Sequence, residues 1–376
     1  MDLITVFVVQ LHNITPDHQK VKSFFFKLEK ELKKCYIYQM ITIKEIARLA
    51  GVSAKTAERA LSGATKDKRR DARERADRVR QIAAAHGYRP SELALALRRG
   101  STRSFGFLVD VLTDQFLAAA VETAMDEAWG KGYKISLQLA RFDREQTAEA
   151  LEGFLASGVE GIITSCAPGQ LPVEIMESLA GRNFPFFTLC GRSGWDFSSA
   201  APDYTYALPQ AVEHLAARGH RKITLCLFAG KELDNLVTER LFLDSCAASG
   251  VVPDFRIHSE KKQAVQLADE KLPAVILYGK YSMRIYLDRC RESGFKSDVI
   301  GIYNEWTFAA AQPFELCGII LEQAEPSVRG AVNQLFDQLE GKPAAHLRYT
   351  AAFVPEEKLH FLKVADLANQ LLFEQP

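Results

Sequence analysis

From Phe105 onward, runs rich in aliphatic, β-branched and aromatic residues alternate with longer amphipathic segments, and this alternation narrows the possible folds more than any other feature. FGFLVDVL, YKISLQLA, VEGIITSC and PFFTLCG read as strands; the segments Phe116 to Gly132, Arg144 to Ser157 and about Val173 to Gly181 between them read as helices. A loop is expected from Arg192 to Pro202. Helix Tyr206 to Arg218, strand KITLCLF and helix Thr238 to Ser249 follow, then strands near Phe255 and at AVILYG. Helix Ser282 to Ser293, strands DVIGIY and CGIIL and helix Pro326 to Gly341 nearly complete the series. Strands alternating with helices of this length predict parallel sheets with helices on both faces. About 250 residues of the pattern predict two doubly wound subdomains. Open sheets of this kind take ligands at the carboxyl ends of their strands, so a cleft between two lobes is the expected pocket.

A different texture precedes it. TIKEIARLAGVSAKTAERALSG, residues 42–63, reads as two short helices joined by a tight turn. Thr42 is placed to cap the first helix, with Glu45 three residues on completing a capping box. Ile46, Leu49 and Ala50 give that helix an apolar stripe, and Gly51 suits its left-handed end. Ser53 caps a second helix whose inner face is Ala57, Ala60 and Leu61, leaving Ala54, Lys55, Thr56 and Arg59 outside. This is the helix-turn-helix pattern, in which the second helix enters the major groove of DNA; an ordinary helical hairpin with a solvated face is the alternative. A third helix from Asp71 to His86 carries Ala72, Ala76, Val79, Ile82 and Ala83 on one side, and Gly87 ends it. Packing around Ile46, Leu49, Leu61, Val79 and Ile82 then makes a small all-α domain. After Pro90, Glu92 to Arg99 makes two helical turns, too short to stand alone in water. That helix is expected to order only against DNA or a partner chain.

The charge distribution separates the two textures. Residues 40–104 hold sixteen Lys and Arg against seven Asp and Glu, a balance of +9, whereas residues 105–376 hold 25 against 36, or −11. A basic head on an acidic body suits a polyanionic partner for the head alone. The run Lys66, Lys68, Arg69 and Arg70 is as compatible with phosphate contact as with a solvated loop. Seven cysteines stand singly, with no CxxC pair, which argues against a zinc site or disulfide framework and fits a reducing compartment. No apolar run approaches the length of a membrane span. Residues 1–39 read as an upstream extension without fixed structure, with Met40 as the functional start; a genuine extra arm is the alternative.

Taken together and in order, TIKEIARLAGVSAKTAERALSG, AAAHGYRPS, GSTRSFGFLVD, GVEGIITS, EHLAARGHRKITL and EGKPAA resemble the LacI/GalR family of bacterial transcription regulators over residues 40–355. The resemblance implies a homodimer, with a tetramer left open, whose heads bind a pseudo-palindromic operator in double-stranded DNA. It also implies a core like the periplasmic sugar-binding proteins, switched by a small-molecule effector between its lobes. Ala54, Lys55 and Arg59 then correspond to the base-reading face, flanked by Thr42, Ser53 and Thr56. Leu97, followed by Arg98, corresponds to the hinge leucine that wedges into the minor groove. The plainer alternatives are a dimer-packing role for Leu97 and a phosphate contact for Arg59. Glu58 stands where a serine is common in the family, Leu95 where an arginine is, and the loop after Gly63 is longer than usual. Glu58 is expected to pair with a neighbouring arginine rather than to accept from cytosine.

The implied effector residues are Phe116, Arg192, Asp203, Tyr204, Arg240, Lys280 and Tyr303, with Trp195 and Trp306 as further aromatics. Acids common in the family are missing at Gly279–Lys280 and Tyr303–Asn304, and Lys280 is gained, with Arg240 and Arg192 nearby. An anionic or phosphorylated ligand is therefore open beside a neutral sugar, with Lys280 directed to solvent as the bland alternative.

The organisation expected is an upstream extension over 1–39, a helix-turn-helix domain over 40–89, a hinge helix and linker over 90–104, a two-lobed effector-binding and dimerisation domain over 105–360, and a tail over 361–376. The function expected is a ligand-responsive repressor in the cytoplasm, at the nucleoid, without cofactor, metal or membrane partner. A solute-binding protein of the periplasmic type without DNA function is the alternative. Scattered histidines without HExxH, GxSxG or a P-loop argue against an enzyme.

Overall fold

The computed structural model describes residues 41–62, 70–89, 92–189, 191–228, 232–258, 266–305, 307 and 315–359. The expected extension over 1–39, the basic run from Lys66 to Arg69, Trp306 and the tail over 361–376 lie outside these residues. The chain divides into two compact units, Met1–Gly100 and Ser101–Pro376, so the short helix over 92–99 groups with the head.

In the first unit α1 is Ile43–Ala50, α2 Ala54–Leu61, α3 Arg70–Ala85 and α4 Glu92–Arg99. The capping box forms as the residue types demand. The Thr42 amide donates to Glu45 Oε2 at 2.8 Å, and the Glu45 amide donates to Thr42 Oγ1 at 3.3 Å. The Thr42 amide, and after it the Thr42 hydroxyl that donates to the same oxygen, hold the Glu45 carboxyl below its ordinary value. Gly51 ends α1 at φ 66°, a conformation that costs glycine little, and the Thr56 amide donates to Ser53 Oγ at the start of α2. The core is Ile46, Ala47, Ala50, Ala57, Ala60, Ala76, Val79 and Ala83, so mostly alanine that the three helices approach closely. One expectation is corrected here: Leu49 is 45% exposed, and Ala47 takes its place inside. The buried arc of α1 is centred between Ile46 and Ala47, and Leu49 falls outside it.

In the second unit the strands are β1 Ser104–Val109, β2 Lys134–Leu139, β3 Ile162–Thr164, β4 Phe186–Thr188, β5 Ser198–Asp203, β6 Lys222–Phe228, β7 Val252–His258, β8 Ala274–Tyr278, β9 Asp298–Asn304, β10 Gly318–Glu322 and β11 His346–Pro355. The helices are α5 Gln115–Gly130, α6 Arg144–Ser157, α7 Val173–Gly181, α8 Ala207–Ala217, α9 Glu232–Ala248, α10 Lys280–Ser293, α11 Glu325–Leu339 and α12 Glu356–Leu359. The strand order is β2-β1-β3-β4-β5-β11-β10-β9-β8-β6-β7. Every pairing is parallel except β10 with β11. β11 belongs to both halves: His346 to Thr350 pair with β5, and Ala351 to Pro355 pair with β10.

Two doubly wound lobes result. In the first, α5 and α11 pack one sheet face with Phe105, Phe107 and Val332, while α6 and α7 pack the other with Leu151, Phe154 and Met176. In the second, α8 and α9 cover one face with Leu215 and Phe242, and α10 covers the other with Met283 and Tyr286. The chain crosses between lobes after β5, after β10 and within β11. The loop expected over Arg192 to Pro202 is corrected in its second half, because Ser198–Asp203 is a strand held between β4 and β11. Cys166, Cys226, Cys246, Cys290 and Cys317 are buried, as small core residues are.

At the base of the second lobe, Asp298 accepts from Arg218 Nε at 2.8 Å and Nη2 at 3.0 Å, with His220 Nε2 at 2.7 Å. The Arg218 guanidinium, above all, holds the Asp298 carboxyl below its ordinary value. Its stabilising contribution is therefore complete above the ordinary carboxylate range and is lost as pH falls through the lower folded-state value. Solvent reaches the pair, so Asp298→Asn is expected to cost about 1 kcal/mol at pH 7. That corresponds to a melting point lower by roughly 2–4 °C. Calorimetric scans should show the gap to the parent chain closing below about pH 4.

Candidate functional site

The first candidate surface is the outer face of α2. Ala54, Lys55, Glu58 and Arg59 are exposed while Ala57 and Ala60 are buried, so the helix presents a polar, largely basic side and hides an apolar one. Thr42, Ser53 and Thr56 are exposed but engaged in caps, with Ser53 Oγ and Thr56 Oγ1 2.9 Å apart. Their capping bonds place the two helix N-termini, where backbone amides can receive phosphate.

The short helix expected after Pro90 is present as α4. Arg98 Nη1 donates to Glu58 Oε1 at 3.0 Å, tying α4 to α2. The expected arginine partner of Glu58 is thus Arg98 itself. The Tyr88 phenol is raised in pKa, first by burial and then by the Glu58 charge. Leu97 projects from α4 at 80% exposure. An isolated leucine this open contributes little to the fold of its own chain.

The second candidate surface is the cleft between the lobes. The first lobe and the crossovers contribute Gly191, Ala201, Pro202 and Tyr204 to it. The second lobe contributes Leu227, Asp234, Asn235, Thr238 and Tyr278, most of them at the carboxyl end of β6, the start of α9 and the end of β8. The Asp234 carboxylate reaches across it. The Arg192 amide donates to Asp234 Oδ2 at 2.9 Å, while Arg192 Nε and Arg348 Nη2 each stand 3.6 Å from Oδ1. Lys280 opens α10 and lies 3.8 Å from Asp114, the N-cap of α5 on the other lobe. Behind them, the Tyr204 hydroxyl donates to the Glu322 carboxylate, joining two crossovers through buried side chains. Burial, reinforced by the Glu322 charge, raises the Tyr204 phenol well above its ordinary pKa. Glu305, after β9, accepts from the Ala324 and Glu325 amides at 2.8 and 2.6 Å and so caps α11; burial raises its carboxyl.

The structure brings only part of the expected effector set together. Tyr204 lines the cleft, and Arg192 and Lys280 border it through their acidic partners. Phe116 packs at the edge of the first-lobe core, and Trp195 is partly buried in that lobe on the α7 side. Asp203 is exposed and accepts from the Thr205 amide at 3.0 Å. Arg240 is not brought to the cleft: its side chain is 79% exposed and pairs with Asp244 at 3.2 Å. The reason is helical phase. Asp234, Asn235 and Thr238 of α9 face inward, and Arg240, two residues beyond Thr238, lies about 200° round the helix. Tyr303 is buried with Met283 in the second lobe, its hydroxyl 3.0 Å from Met283 Sδ, because alternation along β9 turns it to the α10 face. Sequence reasoning missed Asp234, Asn235 and Thr238, which stand before or at the expected start of their helix, and Arg348, on a strand not identified at all. Among the described residues no cluster of three or more His, Cys, Asp or Glu could hold a metal ion, and no helix is long and apolar enough to cross a membrane.

A helix-turn-helix head followed in the chain by a periplasmic-binding-protein-like α/β core defines the class. The family model for bacterial regulatory proteins, lacI family, matches residues 42–91. The model for periplasmic binding proteins and the sugar binding domain of the LacI family matches residues 102–271. The chain belongs to the LacI family of bacterial regulatory proteins. Among curated relatives, the HTH-type transcriptional regulator PtxS of Pseudomonas putida is 32% identical over 194 residues, 49% of this chain and 53% of that protein. The repressor PurR of Actinobacillus pleuropneumoniae is 24% identical over 185 residues, 49% of this chain and 53% of that protein. The matched region thus spans about half the length of these relatives. Among solved structures, a lac repressor dimer bound to operator and an anti-inducer has a TM-score of 0.67 at 19% identity, covering 84% of this chain and 97% of that one. A complex of the regulator CelR with cellobiose has a TM-score of 0.58 at 17% identity, covering 83% and 98%. These two likenesses concern the fold.

Proposed function

We propose that the chain is a ligand-responsive transcription regulator acting as a repressor in the cytoplasm, bound to a pseudo-palindromic operator as a dimer and switched by a small sugar or sugar-derived molecule between its lobes. The observation that carries this reading is the exposed Ala54–Lys55–Arg59 face on a capped second helix, in a chain that also builds a two-lobed cleft. Lys55 and Arg59 supply donors for guanine acceptors, with Ala54 small enough for close approach, and Leu97 supplies the apolar wedge of the minor groove. The switch is a population shift: a ligand that prefers one lobe arrangement favours the head geometry coupled to it.

Selection of the full chain against a randomised palindromic library tests the reading. The expected result is one enriched palindrome bound at least about a thousandfold more tightly than random duplex. Its affinity should fall steeply with salt as the phosphate contacts release counterions. Enrichment of no sequence, with ligand binding intact, would instead support the solute-binding alternative.

A further inference from the structure

We propose that Glu160 is a positioning residue for operator binding: its carboxylate seats the link between head and core on the first lobe, and so fixes the half-site spacing that a dimer reads. This rests on the reading of the chain as a dimeric operator-binding regulator. Ser101 to Ser104 lead into β1 and belong to the second unit. Glu160 Oε1 accepts from Ser101 Oγ at 2.7 Å and from the Arg103 amide at 2.9 Å. Thr102 Oγ1 stands 3.2 Å from the same oxygen and donates to the Gly158 carbonyl at 2.7 Å. The Glu160 amide donates to the Ser104 carbonyl at 2.8 Å, and the Lys134 amide to the Arg103 carbonyl at 3.0 Å. All four residues are thus tied down. Arg103 is held at φ 51°, a left-handed conformation that a residue with a side chain keeps only where its surroundings impose it.

The carboxylate is itself fixed. Its Oε2 accepts from the Tyr133 hydroxyl at 2.7 Å. The Tyr133 ring stacks on Phe105 of β1 and meets Phe336 of α11 edge-on, each at 4.7 Å between ring centres. Burial works against the charged form of Glu160, yet the Ser101 and Tyr133 hydroxyls and the Arg103 amide outweigh it and hold the carboxyl below its ordinary value. On the side of the head, the Gly100 amide donates to the Ala96 carbonyl at 2.8 Å and ends α4. The next residue is Ser101, so no free residue separates α4 from the seat. A link without slack makes the separation of two heads a property of the cores, and half-site spacing follows from it. Released from Glu160, residues 101–103 would add roughly 10 Å of reach, against about 3.4 Å for a base pair. A head on the loosened link would follow a half-site displaced by a base pair or more.

Gel-shift titration of the full chain tests the proposal, with the palindrome that the chain selects and with versions one base pair longer or shorter at the centre. Altered spacing is expected to weaken binding of the parent chain by about 10- to 100-fold. In Glu160→Ala that penalty should shrink to within about threefold, because a slack tether reaches either spacing. Glu160→Gln keeps an acceptor for Ser101 and Arg103 and should retain most of the penalty. Loss of stability alone lowers binding to every duplex alike, so the ratio between spacings reports the seat and not the folded fraction. Three glycines inserted after Gly100 lengthen the link without touching the lobe. They should reproduce the Glu160→Ala result, and they decide the matter if that variant does not fold. A parent chain indifferent to spacing, or a penalty unmoved in a folded Glu160→Ala chain or in the insertion variant, would overturn this proposal alone. A parent chain that selects no palindrome would overturn the regulatory reading, and the proposal with it.

Discussion

Alanine at both Lys55 and Leu97 is expected to weaken binding to the selected operator by about a hundredfold or more, while leaving the melting point of the chain within a degree or two. Lys55 lies on the exposed face of α2, and Leu97 is 80% exposed, so neither removal opens a cavity. A base contact of the lysine kind is worth roughly 1–3 kcal/mol of discrimination. On the proposed reading Leu97 acts differently, by wedging base steps apart and bending the duplex towards more protein surface. Residual binding should be the sequence-independent kind, with most of its salt dependence intact, because the phosphate contacts remain. Gel-shift titration against operator and random duplex checks this, and unchanged operator affinity would remove both side chains from the interface.

Gly191→Val is expected to abolish the response to ligand and to destabilise the core, with operator affinity in the absence of ligand little changed. Gly191 has φ +88°, which a β-branched residue adopts only at a cost of about 1–2 kcal/mol. Its new Cβ would also stand 2.0 Å from Asp234 Oδ2, so the carboxylate must leave the position from which it spans the cleft. The melting point should fall by roughly 4–8 °C for about 2 kcal/mol lost. Calorimetry with the sugar that stabilises the parent chain completes the check; retained affinity would place the binding site away from the Gly191 loop.

What could be read beforehand was what local chemistry decides. The capping residues Thr42 and Ser53, the turn at Gly51 and helices α6 and α7, whose limits agree to the residue, depend on neighbours a few positions away. β5 depends on distant partners instead. SSAAPD has no β-branched or aromatic residue and holds a proline, yet β4 and β11 on either side make it a strand. Leu49 looked like core until packing of three helices set which arc of α1 turns inward. The cleft was hidden for the same reason. Arg192 and Lys280 were legible as cations, but their acids, Asp234 and Asp114, lie far off in the chain and meet them only through the fold. The family resemblance supplied Arg240, and the phase of α9 directs it elsewhere.

The sharing of β11 between both sheets has a consequence for how the molecule is made. α11 and the first half of β11 complete the first lobe, yet both are synthesised after nearly all of the second. Until β11 has left the ribosome, β5 and β10 are each a bare sheet edge, the kind of surface that pairs with other chains. Neither lobe can close before β11 is made, and a chain cut short before His346 would carry two adhesive edges.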